Sequence, residues 1–212
     1  MSDTIVVQSP AATTHLFLLF HGVGATASGL LPLAQRLAAE FPQAAVVSVA
    51  SPFDSDLGAG RQWFSVRGVT EENRGARIDA AMPLFERTVR QWQQQYGLDA
   101  AATTLAGFSQ GAIMALESAR AGKALAGRFV AIAGRFAQLP DTAPQGRIHF
   151  IHGQDDAVIP CRYAVDGQER VVRAGGDATA DVVPYAGHQI TPAMANAMIG
   201  RLRGDDSATA AP

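Results

Sequence analysis

The chain has 212 residues, 48% of them hydrophobic and 17% charged, with a formal net charge of −2. This describes an ordinary soluble globular chain, long enough for one domain with a sizeable core, and no lysine/arginine cluster offers a footprint for nucleic acid. No apolar stretch approaches the roughly 20 residues that a membrane span needs, and the lone cysteine, Cys161, excludes an internal disulfide and a cysteine metal cluster.

The N-terminal "MSDTIVVQSP" lacks a basic region followed by a long apolar run, so no signal peptide is expected and a reducing cytoplasm is the expected home. Within it, "TIVVQS" (4–9) can add an edge strand. "HLFLLF" (15–20) and "AAVVSVA" (44–50) are apolar almost without interruption, as strands buried on both faces are. A helix over 28–40 separates them. Residues 50–75 form a long, glycine-containing segment without clear periodicity, of the kind that is usually functional or disordered in a compact domain. A helix over 74–96 follows, with Ile78, Met82, Phe85, Val89, Trp92 and Tyr96 at steps of four and three along one face. Pro83 should kink it or start a fresh segment.

Four more buried strands are expected at "ATTLAGF" (102–108), "FVAIAG" (129–134), "IHFIHG" (148–153) and "ADVVPY" (180–185), with helices over 109–121, 160–175 and 191–203. Strand–helix alternation with short connections predicts an α/β fold with a mainly parallel central sheet flanked by helices. The expected organisation is a single domain over 1–212, with 1–13 peripheral and the polar tail 204–212 frayed.

One junction carries chemistry. "LAGFSQGAIMAL" (105–116) places Ser109 between Gly107 and Gly111, where a buried strand meets a helix. A turn this sharp forces the serine into a strained backbone and brings strand and helix so close that only glycine fits two residues to either side. The hydroxyl is then exposed at a helix start, whose free N–H groups favour a developing oxyanion. The same pattern can also arise as packing glycines around an N-capping serine.

A serine hydroxyl needs a base, and the base needs an orienting group. His15 reads as a strand-edge residue, and His21 as a shaper of the glycine loop "HGVGA". His149 and His152 lie in one apolar strand and are expected to share a face and serve packing. His188, in "YAGHQI" just past the last strand, has little structural reason to be there and is the expected base. The orienting acid should lie between serine and histidine, and Asp155 and Asp156 both follow a buried strand. One oxyanion donor is expected from the backbone of Gln110, and a second from Val23 in the glycine loop. Trp63, Phe64 and Ile159 are candidates for an apolar substrate wall, and the 50–75 segment is expected to border the substrate's acyl pocket. No metal and no organic cofactor is called for.

Taken together, "LLFHGVGA", "GRQWFSV", "GFSQGAIMAL", "HGQDDAVIP" and "GHQI" resemble the phospholipase/carboxylesterase family of α/β-hydrolases, over about residues 14–203. The resemblance implies the α/β-hydrolase fold without a cap domain, since only 135–147 separates two strands where a cap could enter. It implies a triad of Ser109, Asp156 and His188, with Val23 and Gln110 as oxyanion donors. It also implies hydrolysis of carboxylic esters or thioesters, small or protein-tethered, by a monomer or homodimer. The chain departs from the family at Ser65, where an aspartate is usual, and at Ala106 and Ala112, where thioesterase members carry glycine. The alternatives are an amidase or peptidase using the same triad and a non-catalytic binding protein of the same fold.

Overall fold

Alternating apolar runs and amphipathic segments become a seven-stranded sheet between two helical layers in the computed structural model, which describes residues 3–209, with side chains up to residue 206. In chain order the strands are β1 (Ile5–Gln8), β2 (His15–Phe20), β3 (Ala44–Val49), β4 (Phe53–Asp54), β5 (Arg61–Gln62), β6 (Thr103–Phe108), β7 (Arg128–Ile132), β8 (Arg147–Gly153) and β9 (Ala178–Val183). The helices are α1 (Leu31–Glu40), α2 (Glu71–Tyr96), α3 (Gln110–Arg120), α4 (Arg162–Arg173) and α5 (Pro192–Thr209). The main sheet runs β1-β3-β2-β6-β7-β8-β9, parallel throughout except for β1, which pairs antiparallel with β3.

Side-chain alternation on the strands divides the core in two. Leu16, Leu18 and Phe20 of β2 face α2, α3 and α4, while Phe17 and Leu19 face α1 and α5. All five are fully buried, which is why β2 reads as an unbroken apolar run. Beyond β2 the chain returns past β3 to build the rest of the sheet from β6 outward. The strand order therefore reverses between β2 and β6, and in open α/β sheets that is where a crevice opens at the strands' carboxyl ends. Only the loop 133–146 joins β7 to β8, so no cap covers this edge.

Several expectations are corrected in detail. The segment 50–75 is not structureless: β4 and β5 form a small antiparallel pair, and α2 already begins at Glu71 behind a capping box of Thr70 and Asn73. No fresh segment starts at Pro83. It lies with Asp79 on the exposed face of α2, where water can take the carbonyl that the missing N–H leaves free. The C-terminal tail is helical through Thr209, and Asp205 is buried.

His149 and His152 do not share a face, because their three-residue offset sends them to opposite sides of β8. His149 points toward α5. There its Nε2 donates to Asp205 at 2.9 Å, and its Nδ1 accepts from the Thr179 hydroxyl at 2.8 Å. His152 points the other way, into the loop that carries Asp156.

Candidate active site

The turn after β6 brings strand and helix into backbone contact. A methyl group on Gly107 would lie 2.3 Å from the Ala112 nitrogen, and one on Gly111 would lie 2.2 Å from the Phe20 carbonyl oxygen. Neither position tolerates a side chain without moving backbone. Ser109 between them takes φ 52° and ψ −114°, a left-handed conformation that is strained for a residue with a Cβ. It stands at the head of α3 without using its hydroxyl as a cap.

That hydroxyl donates to His188 Nε2 at 2.9 Å, and His188 Nδ1 donates to Asp156 Oδ2 at 2.8 Å. The carboxylate can only accept, so it fixes the proton of neutral His188 on Nδ1 and leaves Nε2 as the acceptor facing Ser109. The second oxygen of Asp156 accepts the N–H groups of Val158 and Ile159, both at 2.9 Å. Burial works to raise the pKa of this carboxyl. The bond from His188 and the two backbone donors outweigh it and hold the group below the usual carboxylate range. Asp155, the other candidate, turns its side chain to solvent.

A second histidine backs Asp156. His152 Nε2 lies 2.7 Å from the Ile159 carbonyl and 3.2 Å from Asp156 Oδ2. Its Nδ1 is buried without a partner among the described residues. Burial, more than any neighbour, lowers the pKa of this ring and favours its neutral form. The histidine loop is held as tightly as the serine turn, since a methyl group on Gly153 would meet the Ala186 carbonyl at 2.2 Å.

The loop after β2 closes on the serine from the other side. A Cβ on Gly22 would lie 3.3 Å from the Cβ of Ser109, so the next residue, Val23, is beside Ser109. As the first residue of α3, Gln110 has an N–H with no carbonyl one turn back to accept it. Val23 and Gln110 line the same cavity as Ser109. His21 is fully buried. It locks this loop by donating Nδ1–H to the Gly22 carbonyl at 2.8 Å and accepting the Ser51 N–H at Nε2 at 3.2 Å.

Sequence reasoning missed the second use of Gln110. Its side chain accepts the Trp63 N–H and donates to the Phe64 carbonyl, each at 2.7 Å, which ties the 50–75 segment to the head of α3. A glutamine standing directly after Ser109, at the start of an otherwise apolar helix run, was the available signal. Of the three candidate wall residues, Phe64 and Ile159 line the cavity beside Ser109, while Trp63 does not. The Trp63 ring packs on Phe20 and Phe85, and its indole N–H donates to the His21 carbonyl at 2.9 Å, so it is spent on the core. Ser65, at the position of the family's aspartate, donates to Asp56 Oδ2 at 2.6 Å. This hydrogen bond is the main cause that holds the Asp56 carboxyl down to about 2.

The cavity has a volume of about 300 Å³ and is lined further by Val66, Val69, Val158 and Tyr163. It also holds three charged residues, Glu71, Arg74 and Arg135. Among the described residues no group of three or more His, Cys, Asp or Glu side chains is arranged to hold a metal ion. No helix among them is long and apolar enough to cross a membrane.

The family model for phospholipase/carboxylesterase matches residues 1–203. The chain belongs to the phospholipase/carboxylesterase family. It is similar to Esterase YpfH of Escherichia coli, with 52% identity over 190 residues that cover 89% of this chain and 82% of that protein. Among solved structures, esterase PE8 superposes with a TM-score of 0.85 at 24% identity, covering 96% of this chain and 98% of that one. The Bacillus cereus carboxylesterase does so with a TM-score of 0.77 at 16% identity, covering 96% and 94%. These likenesses carry the fold, a mainly parallel sheet flanked by helices without a cap. Carboxylic ester hydrolysis is the reaction class that family membership and the YpfH relative support.

Proposed function

We propose that the chain is a serine esterase that forms its acyl-enzyme on Ser109. The observation that carries this reading is one line of hydrogen bonds, from buried Asp156 through His188 to the hydroxyl of a strained serine at the head of α3. Ser109 Oγ attacks the ester carbonyl while His188 Nε2 takes its proton. The imidazolium is stabilised by Asp156, and the oxyanion turns toward the N–H groups of Val23 and Gln110 at the positive end of α3. His188 then returns the proton to the departing alcohol, and water repeats the sequence to release the acid. No step calls for a metal or an organic cofactor.

The volume of about 300 Å³ is at the small end of ligand pockets, which favours short acyl groups. Without a cap, the cleft can also admit an ester whose alcohol is large. We place the activity in the cytoplasm, where the free Cys161 stays reduced.

The test combines a fluorophosphonate probe with a series of p-nitrophenyl esters and matching thioesters of increasing chain length. Ser109 is expected to take up one equivalent of probe. Ser109→Ala is expected to lose activity by about 10⁴-fold or more while remaining folded. Ester turnover retained in Ser109→Ala would overturn the proposal, and background rates at every chain length would favour a non-catalytic binding protein.

A further inference from the structure

Ester hydrolysis makes no use of Arg135, yet this residue is built into the cavity. It leaves the sheet directly after β7. A methyl group on the preceding Gly134 would lie 2.3 Å from the Ala112 Cβ and 3.4 Å from the Ser109 carbonyl oxygen, so Arg135 emerges against the nucleophile's own turn. The residue is only 8% exposed. A cation taken so far out of water needs a partner. It has one in Glu71, whose two oxygens accept from Nη2 at 2.7 and 2.8 Å, and its guanidinium stacks on the Tyr163 ring at 4.6 Å.

The pairing is lopsided. The Arg135 side chain is 10% exposed and that of Glu71 is 65% exposed, so a fixed cation is matched by a carboxylate standing in solvent. Glu71 is shared as well, since Arg74 also donates to it. Among the described residues the guanidinium donates through Nη2 alone, which leaves its Nε and Nη1 donors without a protein acceptor. Two arginines against one glutamate leave a positive charge unbalanced on the cavity wall.

We propose that Arg135, assisted by Arg74, is a specificity-determining anion subsite, and that the favoured substrates are esters bearing a free carboxylate, such as monoesters of short dicarboxylic acids. The incoming carboxylate takes the place of Glu71 on the guanidinium, whose planar fork suits that group. Glu71 holds the site in the empty enzyme and swings into solvent when substrate arrives. This proposal rests on the serine esterase reading above, because Ser109 and Arg135 must address the same molecule within one small cavity.

The experiment compares kcat/KM for monomethyl glutarate and for methyl butyrate by pH-stat at neutral pH. The wild-type ratio is expected to favour the carboxylate ester by about tenfold or more. Arg135→Gln should bring that ratio close to one. Glu71→Gln should raise it, because the competing carboxylate is gone; this exposed substitution also reports if Arg135→Gln does not fold. Equal use of the two esters by the wild type, or a ratio that Glu71→Gln leaves unmoved or lowers, would overturn the proposal. Loss of all ester turnover together with absent fluorophosphonate labelling would instead strike the esterase reading itself. Labelling and neutral-ester turnover without charge preference would strike only this inference.

Discussion

Gly107→Ala adds one methyl group where backbone already stands. The new carbon would lie 2.3 Å from the Ala112 nitrogen and 2.3 Å from the Gly111 carbonyl carbon, against the 3.4 Å at which ordinary contact begins. Both are backbone atoms of the first turn of α3, so no side chain can rotate away. Strand and helix must part by about 1 Å, which overpacking data put at about 1–3 kcal/mol of stability. The same shift moves the hydroxyl of Ser109 away from His188 Nε2, now 2.9 Å distant. A displacement of that size costs about 10²-fold in rate when the reacting groups must be aligned. Urea unfolding and kcat on p-nitrophenyl butyrate measure the two effects on one preparation. Gly200→Ala on α5 is the control, since a methyl group there meets nothing within 4 Å. It should be neutral or stabilising by up to about 1 kcal/mol. A Gly107→Ala protein with the wild-type urea midpoint and undiminished kcat would refute the claim that this glycine exists to let strand and helix touch.

Gln110→Ala keeps the backbone N–H of residue 110 but strips partners from the Trp63 N–H and the Phe64 carbonyl. It is expected to lower stability by about 1–3 kcal/mol and to raise KM more than it lowers kcat, and an unchanged urea midpoint with unchanged KM would count against it. Acid should destabilise the fold well before it protonates ordinary carboxylates. His15, His21, His149 and His152 all have pKa values lowered from 6.5, mainly by burial, with His15 brought down to about 3. The folded protein keeps them neutral while the unfolded chain gains protons, so their stability is full above pH 6.5 and drains as pH falls toward the folded values. His15 alone removes about 1.4 kcal/mol for each pH unit between that point and its folded value of about 3. The lowered carboxyls of Asp156 and Asp205 act in the same direction at more acid pH. A urea midpoint at pH 5.5 equal to or above that at pH 7.5 would refute this sign.

The inner strands β2, β3, β6, β7 and β8 were legible because each is covered on both faces, so burial wrote itself into the sequence as a nearly unbroken apolar run. "HLFLLF" and β2 coincide residue for residue. The last strand departs from the expected buried run at 180–185: β9 starts at Ala178 and, as an edge strand, is mostly half-buried, with Val182 39% exposed. Elements held by other forces left weaker marks. β4 and β5 have two residues each, too few for any period to show, and they exist through their mutual pairing. The tail after Gly204 looked frayed because its residues are small and polar. What holds it is a long-range contact, in which buried Asp205 accepts from His149 and Arg147 of β8. A sequence read locally cannot show which histidine an aspartate 56 residues away will meet.

The same distinction separates the legible from the illegible parts of the site. Ser109, His188 and the two aspartates could be singled out because each follows a strand, and the strands' carboxyl ends converge. Choosing Asp156 over Asp155 needed the family resemblance, since both stand past the end of β8 and local pattern cannot say which carboxylate turns inward. The acid anchor is illegible for another reason: His152 meets Asp156 and the Ile159 carbonyl through one ring nitrogen because the loop after β8 curls back on its own strand. Arg135 had a local signal, an arginine directly after the buried run "FVAIAG", at the edge where sites form. Its meaning waited on the sheet order, which sets the end of β7 against α3 and beneath the first turn of α2. An arginine at that position is either the structural partner of Glu71 or a receptor for a carboxylate that can displace it. The two roles differ in one respect, whether the partner is fixed or replaceable. A carboxylate that stands mostly in water above a buried guanidinium with idle donors is the replaceable kind.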